Sequence, residues 1–330
     1  MTEAPLPHLV ADIGGTNLRL ALATRRADGG VALSQMQSRA AQAYSSFEEA
    51  ARLYLQDLGQ PVATAVISVA GRVLGQQVRM TNLGWTLDAA QLAQSLRLER
   101  VHLINDLGAA AAAVPALTPD DSTLLWGGAG KPGAEQRIVV VGAGTGLGVA
   151  GASLGEGLTR ISDTEGGHIA FAPETEQEER IHQRLRQRYG RVSWERLISG
   201  PGLMNIYAAL HDEGQMVAPL SPEQILAAHD DELAVGAVSV FCQALAAALG
   251  DAVLMHGAWQ GAYLVGSLPQ AVLPWLTSEA CRARFCAKGP FAEAVAAVPV
   301  RLVRHAQPGL LGAACIALSS ASRTPGALAA

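Results

Sequence analysis

The chain has 330 residues, 49% hydrophobic and 16% charged, with a net charge of −5. That length exceeds what one core usually supports, so two domains are expected, and the composition suits a compact soluble protein. No block of Lys or Arg is long enough to track a phosphate backbone, which excludes nucleic acid as the expected partner.

An apolar run at residues 8–13 reads as a strand that turns at Gly14-Gly15-Thr16 into a second strand. Residues 47–58 form an amphipathic helix with Ser45 or Ser46 as its N-cap. A buried strand follows at 63–69, and another short one at 77–80. A helix over 88–96 opens on an acidic cap, Asp88. The short strand 101–104 ends in Asn105-Asp106, and an alanine-rich helix over 108–114 stops at Pro115. A second series starts with a strand at 138–141. It continues through a loop at Glu165-Gly-Gly-His168 and a charged helix over 176–189. Ser193 caps a helical turn holding Glu195, Ser199-Gly-Pro-Gly202 breaks it, and a helix resumes at 203–211. The uncharged stretch 233–250 touches transmembrane length. Its alanines, its Ser239 and Gln243, and the flanking Asp231, Glu232 and Asp251 fit a buried helix instead, so no membrane is expected. Strands at 262–265 and 300–303, a closing helix at 309–318 and a frayed tail from Ser319 complete the chain. The N-terminus carries no apolar stretch ahead of the first strand, so no signal peptide is expected. Cys242, Cys281, Cys286 and Cys315 form no Cys-x-x-Cys pair and stand near no His at finger spacing. Free thiols in a reducing cytoplasm, and no zinc, are therefore expected.

Two segments read alike. Gly15-Thr16-Asn17-Leu18-Arg19-Leu20-Ala21-Leu22-Ala23 and Gly144-Thr145-Gly146-Leu147-Gly148-Val149-Ala150-Gly151-Ala152 share Gly, Thr, Leu and two Ala. Each follows an apolar run and leads into residues of strand type, so the chain holds two strand–glycine turn–strand copies. Facing glycine turns can hold a polyphosphate, because their backbone N–H groups approach it unhindered. Two other phosphate motifs fail. Counted from Gly142, the sixth position of a dinucleotide fingerprint is Leu147 and no helix follows; the nearest Walker A candidate, Gly130-Lys131, has Leu125 in place of the first Gly and Pro132 after it. The plain alternative is a pair of ordinary hairpins, which the matched pair and the preceding Asp12 disfavour.

Asp12-x-Gly-Gly-Thr-Asn17, Met80-Thr-Asn82, Ile104-Asn-Asp106, Gly142-Ala-Gly-Thr-Gly-Leu-Gly148, Glu165-Gly-Gly-His168, Ser199-Gly-Pro-Gly-Leu203 and Pro308-Gly-Leu-Leu-Gly312 together resemble the bacterial glucokinase family. They run in order across nearly the whole chain. The resemblance implies an α/β chain with the duplicated actin-like ATPase (ribonuclease H-like) fold, two domains around a central cleft. Residues 1–116 with about 308–330 would form the smaller domain and 117–307 the larger. It implies ATP-dependent phosphorylation of the 6-hydroxyl of glucose, Mg²⁺ as the metal, a cytoplasmic enzyme and a homodimer. Asp12, Ile13, Gly14, Gly15 and Thr16, with Gly144, Thr145 and Gly266, would contact the nucleotide. Asp12 would orient Mg²⁺ through water, because Mg²⁺ gives up its waters reluctantly. Asp106 would be the general base, and Asn105, Asp106, Glu165, His168 and Glu195 would bind the sugar.

Each assignment has a plainer competitor. Asp106 also suits an N-cap of the alanine-rich helix, Glu195 a solvated helical turn, and His168 a buried hydrogen-bonded histidine. The sequence departs from the family pattern at Gly266-Ser267, where two glycines are usual, at Ala11, and at Val69-Ala-Gly71. A zinc-bearing sugar kinase of the ROK group is a rival that the cysteine spacing does not support. A sugar-responsive regulator is another, for which residues 1–7 leave no room for a DNA-binding helix pair.

Overall fold

The period of the strands decides which residues face which layer. In β1 (His8–Ile13), Leu9, Ala11 and Ile13 enter one buried cluster while Val10 enters another; in β4 (Thr64–Val69), Ala65, Ile67 and Val69 join the first and Val66 the second. The computed structural model describes residues 6–128, 136–155, 158–211 and 219–319. Gly130-Lys131 and the tail beyond Ser319 lie outside the described residues. The chain divides into two compact units: Met1–Thr118, Leu154–Ile161 and His305–Ala330 form unit 1, and Pro119–Ser153 and Ser162–Arg304 form unit 2.

Unit 1 carries β1, β2 (Asn17–Arg25), β3 (Val31–Ala40), β4, β5 (Gln77–Met80), β6 (Trp85–Asp88) and β7 (Arg100–Asn105). Its five-stranded sheet has the order β3-β2-β1-β4-β7, and β5 and β6 pair separately. β1 is antiparallel to β2 and parallel to β4, and β4 is parallel to β7. Helix Phe47–Leu58 covers one face through Phe47, Ala51 and Tyr54, with Ser46 accepting from the Glu49 N–H as its cap. Helices Asp106–Ala113 and Pro308–Leu318 cover the other with small residues, Ala109, Ala313 and Ala314. Their approach is close enough that a Cβ on Gly312 would lie 1.7 Å from the Ala109 carbonyl oxygen.

Unit 2 carries β8 (Ser122–Trp126), β9 (Gln136–Ala143), most of β10 (Leu147–Gly155), the end of β11 (Leu158–Thr164), β12 (Gly261–Val265) and β13 (Val300–Val303), in the sheet order β11-β10-β9-β12-β13-β8; the remaining residues of β10 and β11, up to Ile161, fall in unit 1. β9, β12 and β13 run parallel, and β8 closes the edge antiparallel. Apart from β8, the order repeats that of unit 1: third, second and first strand, then two strands parallel to the first. Helix Glu232–His256 is long and apolar enough to cross a membrane, but Val238, Phe241, Leu245 and Leu249 are buried in the core of unit 2. Asp231 caps it by accepting from the Leu233 and Ala234 N–H groups, and Gly257 ends it in the left-handed region.

Two local expectations are corrected. Asn105, not Asp106, is the N-cap of the alanine-rich helix, which begins at Asp106. Ser199-Gly-Pro-Gly202 does not break a helix but starts one, Gly200–Leu210: Ser199 accepts from the Gly202 N–H, and Pro201 occupies the first turn, where no N–H is needed.

Candidate active site

Parallel pairing fixes the unit 1 site. Asp12 lies opposite Ser68, and Val69 opposite Asn105, so three polar residues stand at the carboxyl ends of neighbouring strands. That is where open α/β sheets place their ligands. The Ser68 hydroxyl, fully buried, donates to Asp12 Oδ1 at 2.8 Å, and Arg19 Nη1 donates to Oδ2 at 3.3 Å. Helix Pro308–Leu318 meets this pair at Gly309, where a Cβ would sit 2.7 Å from Asp12 Oδ1. Sequence reasoning missed Ser68; its signal was a hydroxyl inside the apolar run 65–69. The turn after β1 is closed by the Gly14 N–H donating to the Asn17 carbonyl at 2.9 Å. Gly15 and Thr16 are exposed beyond it, and Ile13 behind it is buried.

Asn105 spends its carbonyl oxygen on the Leu107 and Gly108 N–H groups, at 2.9 and 3.4 Å, and donates from Nδ2 to the Gly71 carbonyl at 3.1 Å. These bonds orient the following residue. Asp106 Oδ1 accepts from the Leu107 N–H at 2.9 Å. Burial raises the Asp106 carboxyl from 3.8 to about 6; the Leu107 bond opposes this and the charge of Asp12 adds to it. A carboxylate poised near 6 suits general-base work.

In unit 2 the turn between β9 and β10 is tighter, with the Gly144 N–H donating to the Gly146 carbonyl at 2.9 Å. A Cβ on Gly144 would meet no protein atom within 4 Å, so the space before it is open. Behind the turn the backbone is packed. The Gly200 N–H donates to the Gly144 carbonyl at 2.7 Å. A Cβ on Gly266 would lie 2.5 Å from the Ala143 carbonyl oxygen, and φ there is 108°, so this position requires glycine. Ser267 instead begins a short helix, Ser267–Ala271.

Glu165 opens the tight turn Gly166–His168, and residues 169–171 pair with 192–194 through Trp194 N–H to Ile169 O and Phe171 N–H to Val192 O. That pairing brings His168 Nδ1 to 3.8 Å from Glu195 Oε1. Glu195 Oε2 accepts from the Leu147 N–H at 3.0 Å. Glu165 and His168 have exposed side chains, and Glu195 is half-buried; neither the solvated-turn reading of Glu195 nor the buried-histidine reading of His168 describes them. Within unit 1 the structure brings Asp12 together with Ser68 and sets Asn105 and Asp106 side by side. Within unit 2 it brings His168, Glu195 and the 144–146 turn together.

Taken separately, the Asp12 carboxylate beside the exposed Gly15-Thr16 turn of unit 1 is of the kind that suits Mg²⁺ and phosphate, and the open space at Gly144 in unit 2 leaves room for a phosphate. Among the described residues no three His, Cys, Asp or Glu side chains converge as a metal cluster.

A family model described as Glucokinase matches residues 9–320. The chain is 41% identical to the glucokinase of Stenotrophomonas maltophilia (strain K279a) over the full length of both. Among solved structures it is similar to a glucokinase from an Antarctic psychrotroph, 32% identical with a TM-score of 0.85, covering 94% of this chain and 98% of that one. It also shares the fold of the Balamuthia mandrillaris glucokinase solved in complex with glucose, at 24% identity and a TM-score of 0.73, covering 96% and 95% of the two chains.

Proposed function

The chain belongs to the glucokinase family, and from that premise we propose that it transfers the γ-phosphoryl group of ATP to the 6-hydroxyl of glucose with Asp106 as general base. The observation that carries this reading is the Asp106 carboxyl, raised to about 6 and oriented by the Leu107 N–H at the start of its helix. Ionised, it accepts the proton of the 6-hydroxyl as the oxygen attacks. Asn105, Glu165, His168 and Glu195 supply the acceptors and donors that a ring of hydroxyls demands. Asn105 keeps one Nδ2 hydrogen for the sugar after donating the other to Gly71.

The turns Gly14-Gly15-Thr16 and Gly144-Thr145 form the phosphate cradle: the Gly14 and Gly144 amides close the turns, those of Gly15, Thr16 and Thr145 donate to the phosphates, and Gly266 lines the adenosine position. Asp12, steadied by Ser68 and Arg19, holds Mg²⁺ through water. When bound, Mg²⁺ neutralises charge on the phosphate oxygens. On this reading residues 1–116 with about 308–330, and residues 117–307, flank a central cleft that closes on glucose. The enzyme works as a cytoplasmic homodimer. Scattering in solution tests closure, since glucose should reduce the radius of gyration, and sedimentation tests the dimer. The experiment that tests the function is an ATP-dependent phosphorylation screen over glucose, mannose, fructose and N-acetylglucosamine. Glucose should be phosphorylated best; no phosphorylation of any of the four would end the reading.

A further inference from the structure

Leu147 is held from two sides by the segments read as sugar contacts. Its N–H donates to Glu195 Oε2 at 3.0 Å. Its carbonyl faces Gly167, whose missing Cβ would lie 1.9 Å from that oxygen. The neighbouring Gly146 faces a side chain instead of backbone, because a Cβ there would lie 2.7 Å from Glu195 Oε2 and 3.6 Å from Cδ. The loop carrying Glu165 and His168, the turn carrying Glu195 and the second glycine turn therefore share one residue's peptide groups. Further bonds keep this assembly in place. The Ser199 hydroxyl donates to the Glu195 carbonyl at 2.9 Å, and the Gly200 N–H donates to the Gly144 carbonyl at 2.7 Å.

We infer that Gly146 and the Leu147 N–H are positioning elements for the sugar: they set where the Glu195 carboxylate stands, so the turn read as a phosphate cradle also fixes the affinity for glucose. The inference rests on the glucokinase reading and goes beyond it, because Gly146 touches neither substrate in that reading. A carboxylate has two oxygens and about four acceptor positions. With Oε2 anchored on Leu147, Oε1 is left directed toward His168 and free to accept a sugar hydroxyl. An unanchored glutamate would have to be ordered when the sugar binds, at a cost in side-chain entropy. Glycine at 146 is what allows the anchor, since any Cβ there crowds the position of Oε2.

Gly146→Ala tests this with little risk to folding, because the atom in its way is the end of a flexible side chain. No positive φ marks position 146. Calorimetric glucose titration of the nucleotide-free full chain should show affinity weakened about tenfold, the scale of one hydrogen bond to a charged group. The melting temperature should stay near that of the wild type. The second measurement is a double-mutant cycle. In a Glu195→Ala background, Gly146→Ala should change glucose affinity no further, whereas a merely structural effect of the added methyl group would persist there. Unchanged glucose affinity in folded Gly146→Ala, or additive losses in the double variant, overturns the inference and leaves the glucokinase reading standing. A wild type that binds no glucose overturns both.

Discussion

The two glycine turns are near copies in sequence, yet their surroundings differ in kind. The first follows a strand that brings its own acid, Asp12, held by the Ser68 hydroxyl at 2.8 Å and by Arg19. The second follows a strand with Val141 at the matching position and takes its acid from elsewhere: Glu195 reaches the Leu147 N–H across 48 residues of sequence. The first turn is closed from Gly14 to Asn17, the second from Gly144 to Gly146, one residue shorter. The first has side chains about it, Asn82 lying 3.0 Å from a Cβ on Gly15, while the second is backed by the backbones of Gly200 and Gly266. One backbone device has thus been given two chemical settings. In unit 1 it stands beside carboxylates suited to a metal and a proton, and in unit 2 beside groups suited to hydrogen-bonding a sugar.

If unit 1 supplies charge and unit 2 supplies fit, substitutions should separate into effects on turnover and effects on binding. The largest effect is expected at Asp106. Asp106→Asn keeps size and the Leu107 bond but cannot take a proton, so kcat should fall by about 10²–10⁴ with glucose binding nearly intact. Turnover within threefold of wild type at saturating substrates would remove Asp106 as the base. Next is Ser68→Ala, which strips Asp12 of its buried partner. The Mg²⁺ concentration for half-maximal rate should rise about 10–100-fold, as for other residues that orient a metal ligand. A titration that coincides with the wild type would show that Asp12 needs no such support.

On the unit 2 side, Gly144→Val fills the open space before the turn without meeting a protein atom at its Cβ. ATP affinity should weaken at least about tenfold, roughly 1.4 kcal/mol, in a protein that still binds glucose. Calorimetry giving the same ATP affinity in a folded variant would take that turn out of the nucleotide site. The smallest effect is the pH dependence. The base must be ionised, so kcat/KM should fall as pH drops through about 6, where it stands at half its high-pH level. Stability should move the opposite way. The folded carboxyl binds its proton more tightly than the unfolded one, so stability contributed by this group declines as pH rises from 3.8 to about 6. Asp106→Asn should abolish both trends, and an acid limb retained in that variant would assign it to another group.

The sequence alone determined the local elements whose causes are local. The helix Phe47–Leu58, the charged helix Glu176–Tyr189 and the strand Val300–Val303 follow from side-chain period and from residues that cap backbone groups nearby, although the structure was needed to choose Ser46 over Ser45 as the first helix's cap. The duplicated turns were also legible, because a glycine at a close backbone approach is visible as a letter. Strands β3, β6, β8 and β11 were not read; β3 is largely exposed and shows no apolar alternation, and β6 alternates Trp85, Thr86, Leu87 and Asp88 over only four residues. The cap of helix Asp106–Ala113 was misassigned because Asn105 and Asp106 are both good caps, and only the backbone shows which stands outside the helix. What the tertiary structure decided is which distant residues meet. Ser68 reaches Asp12 through the parallel register of β1 and β4, and Glu195 reaches Leu147 through the pairing of 169–171 with 192–194. Raising Asp106 to about 6 likewise depends on burial and on Asp12. Register and burial are sums over many residues far apart in the chain. No single stretch of sequence encodes them.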